Sequence, residues 1–492
     1  MQAFVHAWGY YSGILSAFLC LFLFILSAVF IRRRTARNFP PGPLGLPVVG
    51  VLPFLGKDPQ STLMQWAKRY GEVFSVNLGG NTVVVLNGVE AVRDAFQRKA
   101  TVFAGRPRIP SFDFLHHRGI ISADYGPAWQ AHREFLMRYL RGTDEDKLEE
   151  KINREIDTLI EFLRHKNKSK FNCSETLMIS VANILMSVLF GDRFDYDNPM
   201  LKELIRSIHR SAELSNESSV MNFIPILRFL PQCIERNKEV DNLCNIVGNI
   251  QRNHSEIYCE GVTRGLMDAY TKESMQRTTA KSGFFNEKEL ATLLVDVIIA
   301  GTESIATTLS WGILFLLHDP KVQQNVQSEL DEVIGKRRPT LADKPNLPYT
   351  NATLMEIQRC NYVFPLGVLH STTKDIEFRG HRIPKGCWIL ANFWSVMMND
   401  DVYLNPREFR PERFLGDSGK LQPHDAFLPF SAGKRSCAGE LLARQQLFLM
   451  FTHLLQAFTF QLPEGSVLPK LEGSTGITYQ PPKFDVCAHL RF

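Results

Sequence analysis

The feature that most constrains the fold is a very long stretch of chain without a recognisable domain boundary. The protein has 492 residues, and from Pro59 to the C-terminus its sequence contains no internal repeat and no linker rich in Pro, Gly or Ser. A body of this length is above the usual size of one domain. We therefore expect a single large domain with something central that organises it.

The spacing of apolar residues predicts that this domain is mainly helical with small β-sheets, an α+β fold. Helices are predicted at residues 59–70, 145–164, 175–190, 200–214, 237–258, 287–318 and 439–458. Strands are predicted at residues 74–78, 82–86, 372–378, 382–383 and 388–392, with a hairpin turn at Gly79, Gly80 and Asn81. The most apolar part of the 287–318 helix contains Asp296 and Glu303, which favours a buried helix over a membrane span.

The N-terminal segment predicts a membrane anchor. Residues 11–31 are apolar and uncharged, and as a helix they would be about 30 Å long, enough to cross the hydrocarbon core. The alternative is a cleaved signal peptide, which usually has a basic start and a shorter apolar core. Here the basic residues come after the apolar segment, which favours a lumenal N-terminus and a cytosolic body: Arg32, Arg33, Arg34 and Arg37.

The chain is thus divided into three predicted parts. Adjacent prolines after the basic cluster cannot continue a helix and favour a stiff connector. The parts are an anchor with its basic cluster at residues 1–37, a Pro-rich hinge at 38–58 and the large domain at 59–492.

Charge and cysteine content exclude several classes of function. The net charge of +5 comes without a dense basic run interleaved with aromatic residues, so nucleic-acid binding is not expected. The nine cysteines lack paired spacing, which argues against a zinc site or a disulfide framework. Their odd number favours a reducing compartment.

One cysteine lies in a distinctive loop before the last helix. Backbone N–H groups at a helix start, together with the helix dipole, stabilise a thiolate, the metal-binding form of cysteine. Gly433 permits a tight turn, Gly439 permits a flat ligand to approach the backbone, and Arg435 adds a positive charge suited to a carboxylate. These residues indicate that Cys437 is a lone thiolate beside something planar and anionic.

This loop resembles the haem-binding signature of cytochromes P450 at every fixed position: Phe430, Gly433, Arg435, Cys437 and Gly439. Three further motifs of that family occur in the expected order, so the resemblance covers essentially the whole chain. It implies the cytochrome P450 fold, haem b as cofactor and Cys437 as the ligand of the haem iron. Residues 39–43, 223–231 and 427–430 resemble the microsomal family-2 branch, which implies the endoplasmic reticulum membrane.

The first further motif lies inside the 287–318 helix. It consists of Ala300, Gly301, Thr302, Glu303 and Ser304. Glycine and adjacent hydroxyls can loosen the backbone hydrogen bonds of a helix and admit water. In the family this segment lies over the haem, and the acid and the alcohol relay protons to bound dioxygen. The resemblance therefore implies catalytic roles for Glu303, Ser304 and Thr302, although Ser304 stands where the family usually has threonine.

The other two motifs imply a structural triad and the haem propionate contacts. Glu356 and Arg359, followed later by Arg413, match the family's ion triad, which stabilises the fold. Family positions that contact the haem propionates are occupied by Trp129, Arg133, Arg106 and His370, in addition to Arg435.

The resemblance also implies a reaction and its partners. The enzyme would insert one atom of O2 into a lipophilic substrate with electrons from NADPH. The chain has no Gly-rich nucleotide fingerprint, so a separate flavoprotein, NADPH-cytochrome P450 reductase, would deliver them, with cytochrome b5 as a second possible donor. An acidic donor would fit a basic face formed by His132, Arg133, Arg138, Arg141, Lys147, Lys434 and Arg444.

The substrate pocket is expected to be apolar, which suits a fatty acid, steroid, retinoid or foreign compound. By family position it would include Phe112, Phe114, Ile120, Ile121, Ala300, Leu366, Leu369, Ile477 and Tyr479. Residues 214–231 would dip toward the membrane.

Two other functions remain open at this point. A haem-thiolate isomerase or dehydratase would rearrange a lipid peroxide without dioxygen or a reductase. A non-catalytic, membrane-anchored binder of haem or lipid would need no proton relay. The joint presence of Cys437, Glu303 and Ser304 argues against lost catalysis.

Overall fold

The structure, a computed structural model, is mainly helical, as predicted. It describes residues 15–24, 38–110, 115, 117–217, 219–256, 259, 262–276, 282–476 and 478–491. The helices of this described part are α1 (Leu15–Phe24), α2 (Pro59–Tyr70), α3 (Val89–Arg93), α4 (Pro127–Gly142), α5 (Glu145–Lys166), α6 (Cys173–Phe190), α7 (Pro199–Glu217), α8 (Pro231–Glu256), α9 (Leu266–Gln276), α10 (Glu287–His318), α11 (Pro320–Val333), α12 (Pro348–Cys360), α13 (Trp394–Met397) and α14 (Glu440–Ala457).

The strands form one sheet of four strands, one of three and two hairpins. They are β1 (Val73–Leu78), β2 (Asn81–Asn87), β3 (Phe171–Asn172), β4 (His370–Ser371), β5 (Ile376–Phe378), β6 (His381–Ile383), β7 (Trp388–Asn392), β8 (Phe458–Gln461), β9 (Ser474–Thr475), β10 (Tyr479–Gln480) and β11 (Asp485–Leu490). The larger sheet has the order β1-β2-β7-β4, with β2 parallel to β7, and the smaller has the order β3-β11-β8. The hairpins are β5-β6 and β9-β10.

The predicted hairpin of β1 and β2 is confirmed, and its turn shows why two glycines occur there. Gly79 and Gly80 both have positive φ, at 55° and 90°, which residues with a Cβ rarely adopt. Asn81 already pairs with Leu78 as the first residue of β2. The turn therefore has two residues, one fewer than predicted.

The core lies around α10, which packs against α6, α8, α12 and α14. The helix begins and ends at the predicted residues, and Trp311 in its second half is fully buried. Two described helices, α6 and α10, are long and apolar enough to cross a membrane, but most of each lies inside the protein body. This agrees with the prediction that α10 is a core helix.

The N-terminal part is only partly described. Of the predicted anchor at 11–31, residues 15–24 form the apolar helix α1, and the remaining residues lie outside the described part. The following Pro-rich segment is extended along β1, where Ser75 N donates to Pro41 O at 2.6 Å and Ser75 Oγ to Pro40 O at 2.7 Å. The domain boundaries proposed from the sequence stay predictions.

One predicted strand is wrong in part. Residues 372–378 were expected to form one strand, but β4 ends at Ser371 and β5 begins only at Ile376. Between them, Thr372 N donates to Cys387 O, whereas Thr373 N donates to Val102 O. Because successive N–H groups bond to different segments, no continuous ladder can form.

The predicted ion triad is assembled at the end of α12. Arg359 Nε and Nη2 donate to the two carboxylate oxygens of Glu356 at 2.7 and 2.9 Å, and Arg413 Nε donates to Glu356 Oε1 at 2.8 Å. Glu356 and Arg359 are completely buried. Arg359 also bonds to Met397 O, and Arg413 to Leu404 O. The triad therefore ties α12 to the irregular chain between α13 and residue 413.

Replacing the shared carboxylate should destabilise the fold strongly. We expect Glu356→Gln to lower the free energy of unfolding by about 3–5 kcal/mol, because it leaves two buried guanidinium groups without their counter-charge. Urea unfolding measures the change. The matched control is Glu203→Gln, which breaks a pair with Arg206 on the exposed face of α7 and should cost less than about 1 kcal/mol. Equal losses in the two variants would contradict a structural role of the triad.

Candidate active site

The Cys437 loop is a tight, hydrogen-bonded structure ahead of α14. Residues Gly433–Arg435 form one turn of 3-10 helix, and Cys437 N donates to Phe430 O at 2.9 Å. Gly433 has φ of 77°, and a Cβ at that position would lie 1.6 Å from Phe96 O. Only glycine fits there, so the sequence prediction of a glycine-dependent turn is confirmed. At Gly439 a Cβ would meet no atom within 4 Å, so the space beside that backbone is open.

A slot-shaped cavity lies between this loop and α10. Its volume is about 190 Å³. Ser304, Ile305 and Thr308 line it from α10, and Ala443 and Leu447 line it from α14. Six residues predicted for the site line it: Arg106, Ser304, His370, Phe430, Arg435 and Cys437.

The environment of Cys437 is less favourable to a free thiolate than the sequence suggested. Burial raises the pKa of this thiol above its usual value, although a hydrogen bond from Gly439 N–H and the charges of Arg133 and Arg444 oppose the rise. The sulfur nevertheless faces the cavity. A metal ion bound at the sulfur would outweigh the effect of burial, because metal coordination deprotonates a thiol.

Two arginines at one end of the slot, the buried Arg435 and the half-buried Arg106, have no acidic partner among the described residues. Arg435 donates to Ala104 O, Ile120 O and Ala123 O, and Arg106 donates to Ile121 O, Val368 O and Leu369 O. Burial lowers the pKa of Arg106 to about 9. Burial and the charges of Arg106 and Arg133 lower that of Arg435 to about 8, with Asp124 opposing only from a distance.

Trp129 lies between two of the cationic groups of the site. The guanidinium carbon of Arg435 lies 4.1 Å from the centre of its ring and that of Arg133 lies 5.7 Å away. Trp129 Nε1 donates to Ile120 O, and Arg133 Nη2 donates to Ser436 Oγ at 3.1 Å. Two positive groups therefore meet around one indole beside the Cys437 loop.

His370 is placed at the same end of the slot as a neutral ring. Its Nδ1 lies 2.6 Å from Phe103 O and must therefore donate to it. Burial and the charges of Arg106 and Arg435 hold the pKa of His370 well below its usual value. The neutral ring has an unprotonated Nε2, so it could donate to a carboxylate only after taking up a proton.

On α10 the structure separates the predicted acid from the predicted alcohol. Ser304 lines the cavity, and Ala300, one turn earlier, is exposed. Glu303 is buried on another side of the helix, where its Oε1 accepts from Thr478 Oγ1 at 2.6 Å and from Gln480 Nε2 at 2.7 Å. Thr302 is fully buried, and its hydroxyl has no hydrogen-bond partner among the described residues.

The expected loosening of this helix is not found. Helix α10 is continuous through the motif, and Ser304 Oγ donates to Ala300 O at 2.6 Å, which adds a bond instead of freeing the carbonyl. A Cβ at Gly301 would lie 2.9 Å from Leu185 Cδ1. Glycine at this position therefore allows close packing of α6 against α10.

The predicted substrate pocket is only partly assembled. Phe112, Phe114 and Ile477 lie outside the described residues. Leu366 and Leu369 pack against the apolar cluster between the large sheet and α2, and Tyr479 stacks on Trp311 with ring centres 5.5 Å apart. Ile120 and Ile121 are half-buried in the loop before α4. The apolar side chains that do line the slot include several that the sequence did not indicate: Ile305, Val363, Phe364, Val368, Phe393 and Leu447.

Asp296 is a functional candidate that the sequence analysis noted only as a charge in an apolar helix. It is buried, and its Oδ2 accepts from the backbone N–H groups of Ile120 and Ile121 at 2.7 and 3.0 Å. The carbonyl groups of the same two residues accept from Arg435 and Arg106. Asp296 therefore holds in place the loop that orients both arginines, and an acid inside a buried helix was the available signal.

The predicted basic face is present with one correction. His132 is buried and contacts Tyr270 Oη at 3.2 Å, so it cannot belong to a surface; it lies on the side of α4 that packs into the core. Arg138 pairs with Glu273, and Arg444 pairs with Glu440. Exposed basic side chains remain at Arg141, Lys147 and Lys434.

Comparisons with known proteins point to one family. The family model described as Cytochrome P450 matches residues 40–488. The chain is 34% identical over 497 aligned positions to cytochrome P450 2D20 of Mesocricetus auratus, covering 98% of this chain and 99% of that protein. It is 35% identical to cytochrome P450 2U1 of Homo sapiens, covering 95% and 92% of the two chains, and 33% identical to cytochrome P450 18a1 of Drosophila melanogaster, covering 96% and 92%. The predicted family and its family-2-like branch are confirmed.

The stability contribution of Asp296 should depend on pH. Burial raises the pKa of this carboxyl to about 7, whereas it is about 3.9 in an unfolded chain. Between these values the folded state holds a proton that the unfolded state has lost, so stability should fall by about 1.4 kcal/mol per pH unit as pH rises from 5 to 7. Asn at this position keeps the acceptor oxygen but does not titrate.

Thermal unfolding at pH 5, 6, 7 and 8 tests this expectation. The midpoint of the natural chain should decrease by a few degrees more than that of Asp296→Asn across this range. Parallel pH profiles for the two proteins would show that Asp296 titrates normally.

Proposed function

This chain belongs to the cytochrome P450 family and is a haem-dependent monooxygenase, and from this premise we propose how its residues hold the haem and what class of substrate it oxidises. The cofactor is haem b, with O2 as the second substrate. We propose Cys437 as the ligand of the haem iron, since its sulfur faces the slot between the loop and α10.

The observation that carries the proposal is a pair of arginines, the buried Arg435 and the half-buried Arg106, without an acidic partner among the described residues. Two guanidinium groups inside a protein body are costly unless a counter-charge approaches them. Haem b carries two propionates, and an orientation that places them beside Arg106 and Arg435 supplies the missing charge. Trp129, Arg133 and His370 would complete this end of the site.

Haem bound in the slot would supply the activation of dioxygen, which thiolate ligation by Cys437 would promote. The remaining steps are assigned to residues of the chain. Ser304 faces the slot from α10, and its hydroxyl would hold a proton or an ordered water there. Glu303 would provide protons to that hydroxyl, with Thr302 beside it in the same turn. Ala300, which is exposed one turn before Ser304, would leave room beside the haem because its side chain is small, whereas Gly301 serves the packing of α6 against α10.

The overall reaction needs two electrons and two protons for each O2. We propose that NADPH provides the electrons through a separate flavoprotein reductase, with cytochrome b5 as a second donor. Exposed basic groups near the start of α14 support this, because an acidic donor would be attracted to them. The start of α5 also lies there, where Gln445 of α14 bonds to Glu145. The proposed contacts are Arg141, Lys147 and Lys434, flanked by Arg444.

An apolar surface supports a lipophilic substrate and a membrane-bound enzyme. Leu44 is 82% exposed, and Ile226 and Phe229 are 69% and 64% exposed. Their segments meet at the β1–β2 turn, where Gly79 N donates to Val49 O and a Cβ at Gly79 would contact Phe223 O. Exposed apolar groups that converge in this way mark a membrane or partner contact.

We therefore propose an enzyme of the endoplasmic reticulum membrane with a single N-terminal span, a lumenal N-terminus and a cytosolic catalytic domain. Its substrate would be a fatty acid, steroid, retinoid or foreign compound that enters from the membrane beside residues 214–231.

Product analysis tests this function. Full-length protein with reductase and NADPH is incubated with a panel of fatty acids, steroids and retinoids. We expect at least one member to gain a single oxygen atom that is labelled when ¹⁸O2 is supplied. Omitting NADPH is the control and should abolish the product. Conversion of a lipid hydroperoxide without NADPH, together with no oxygenated product from the panel, would replace the proposal with an isomerase or dehydratase.

A further inference from the structure

A direct proton relay from Glu303 to Ser304 does not explain the direction in which the Glu303 carboxylate points. Glu303 is only 6% exposed, and its carboxylate is held by two donors, Thr478 and Gln480. Both donors belong to the β9–β10 hairpin, near the C-terminus. Consecutive residues of a helix point about 100° apart, so Ser304 can face the slot while Glu303 faces the hairpin.

The hairpin is fixed to α10 by independent contacts. Trp311 Nε1 donates to Tyr479 O at 2.9 Å, and the two rings stack at 5.5 Å. Tyr479 N donates to Val363 O at 2.8 Å. The donors to Glu303 therefore come from an element that the core holds in place, and such donors orient a side chain more firmly than a mobile loop would.

Titratable surface groups lie on the side of Glu303 that faces the hairpin. His209 on α7 acts electrostatically on the carboxylate, and its own side chain is 35% exposed. His209 Nε2 lies 3.2 Å from Glu213 Oε1, which also pairs with Lys483 Nζ at 2.8 Å. Lys483 follows the hairpin in the chain. Groups that exchange protons with water thus lie on the side to which Glu303 is turned.

We propose that Thr478 and Gln480 are positioning residues that hold the Glu303 carboxylate toward the hairpin, where it takes up a proton before it turns to the slot. The inference rests on the proposed function of Glu303 as a proton donor. In a productive cycle, two electrons from NADPH, two protons, O2 and the substrate give hydroxylated product and water. When proton delivery is disturbed, two electrons, two protons and O2 leave as hydrogen peroxide.

The two hydrogen bonds should also change the acidity of the carboxyl group. Burial raises the pKa of Glu303, and the bonds from Thr478 and Gln480 lower it because they stabilise the ionised form. Without them the carboxyl should stay protonated to a higher pH. This effect can be measured without turnover.

The test uses Thr478→Val, Gln480→Met and the double variant in the full-length haem enzyme. The matched control is Thr475→Val, the same substitution in the same hairpin. Thr475 bonds to Gln60 and not to Glu303. Infrared spectra are recorded against pH, and subtraction of the Glu303→Gln spectrum isolates the carboxyl band. Product and hydrogen peroxide per NADPH are measured with the substrate found above, at equal haem content.

We expect the Glu303 carboxyl to titrate about one pH unit higher in the double variant, and product per NADPH to fall about threefold or more with a matching rise in peroxide. Thr475→Val should change neither quantity. An unchanged titration, or an unchanged coupling in the double variant while Glu303→Gln uncouples the enzyme, would overturn this inference alone. Normal coupling in Glu303→Gln would instead remove Glu303 from the proposed relay, and this inference with it.

Discussion

Uncompensated positive charge beside a single thiol is the constraint on which the site depends. Arg435 is buried and Arg106 half-buried, and both use their donors on backbone carbonyl groups, so neither is neutralised by an acid of the described chain. Such an arrangement is costly in isolation. It becomes favourable when a ligand with two carboxylates occupies the slot, and haem b is such a ligand. The haem site is thus the organising centre expected for so large a domain. The chain contributes positive charge, a sulfur atom and a cavity to it.

A second buried charge cluster shows the opposite arrangement. Around Glu356, the carboxylate and its two arginines satisfy one another and need no ligand. That cluster holds the chain after α12 in place whether or not the slot is filled. Asp296 links the fold to the site. Its buried carboxyl group fixes the peptide groups that in turn orient Arg106 and Arg435. The charges that stabilise the fold are therefore largely different from the charges that prepare the site for its ligand.

The sequence was most informative where the responsible interactions are local. Helices α2 and α10 begin and end at the predicted residues because their periodicity and start signals, Pro59 for α2 and Asn286 for α10, are local in the sequence. The Cys437 loop was recognisable because its spacing is compact. By contrast, the break between β4 and β5 depends on Val102, far away in the chain. The direction of Glu303 depends on Thr478 and Gln480, which are 175 and 177 residues away. The loop that contains Leu366, Val368 and Leu369 has no regular period. The sequence therefore could not show that Val368 lines the slot while Leu366 and Leu369 pack against the sheet.

The central claim is that Cys437 ligates the haem iron, and the absorption spectrum of the reduced, carbon monoxide-bound protein tests it most directly. Thiolate ligation shifts the Soret band of this adduct to longer wavelength than histidine ligation does. The account predicts the shifted band for the natural chain and its loss in Cys437→Ala. An unshifted band in the natural chain, or the same spectrum in Cys437→Ala, would contradict it.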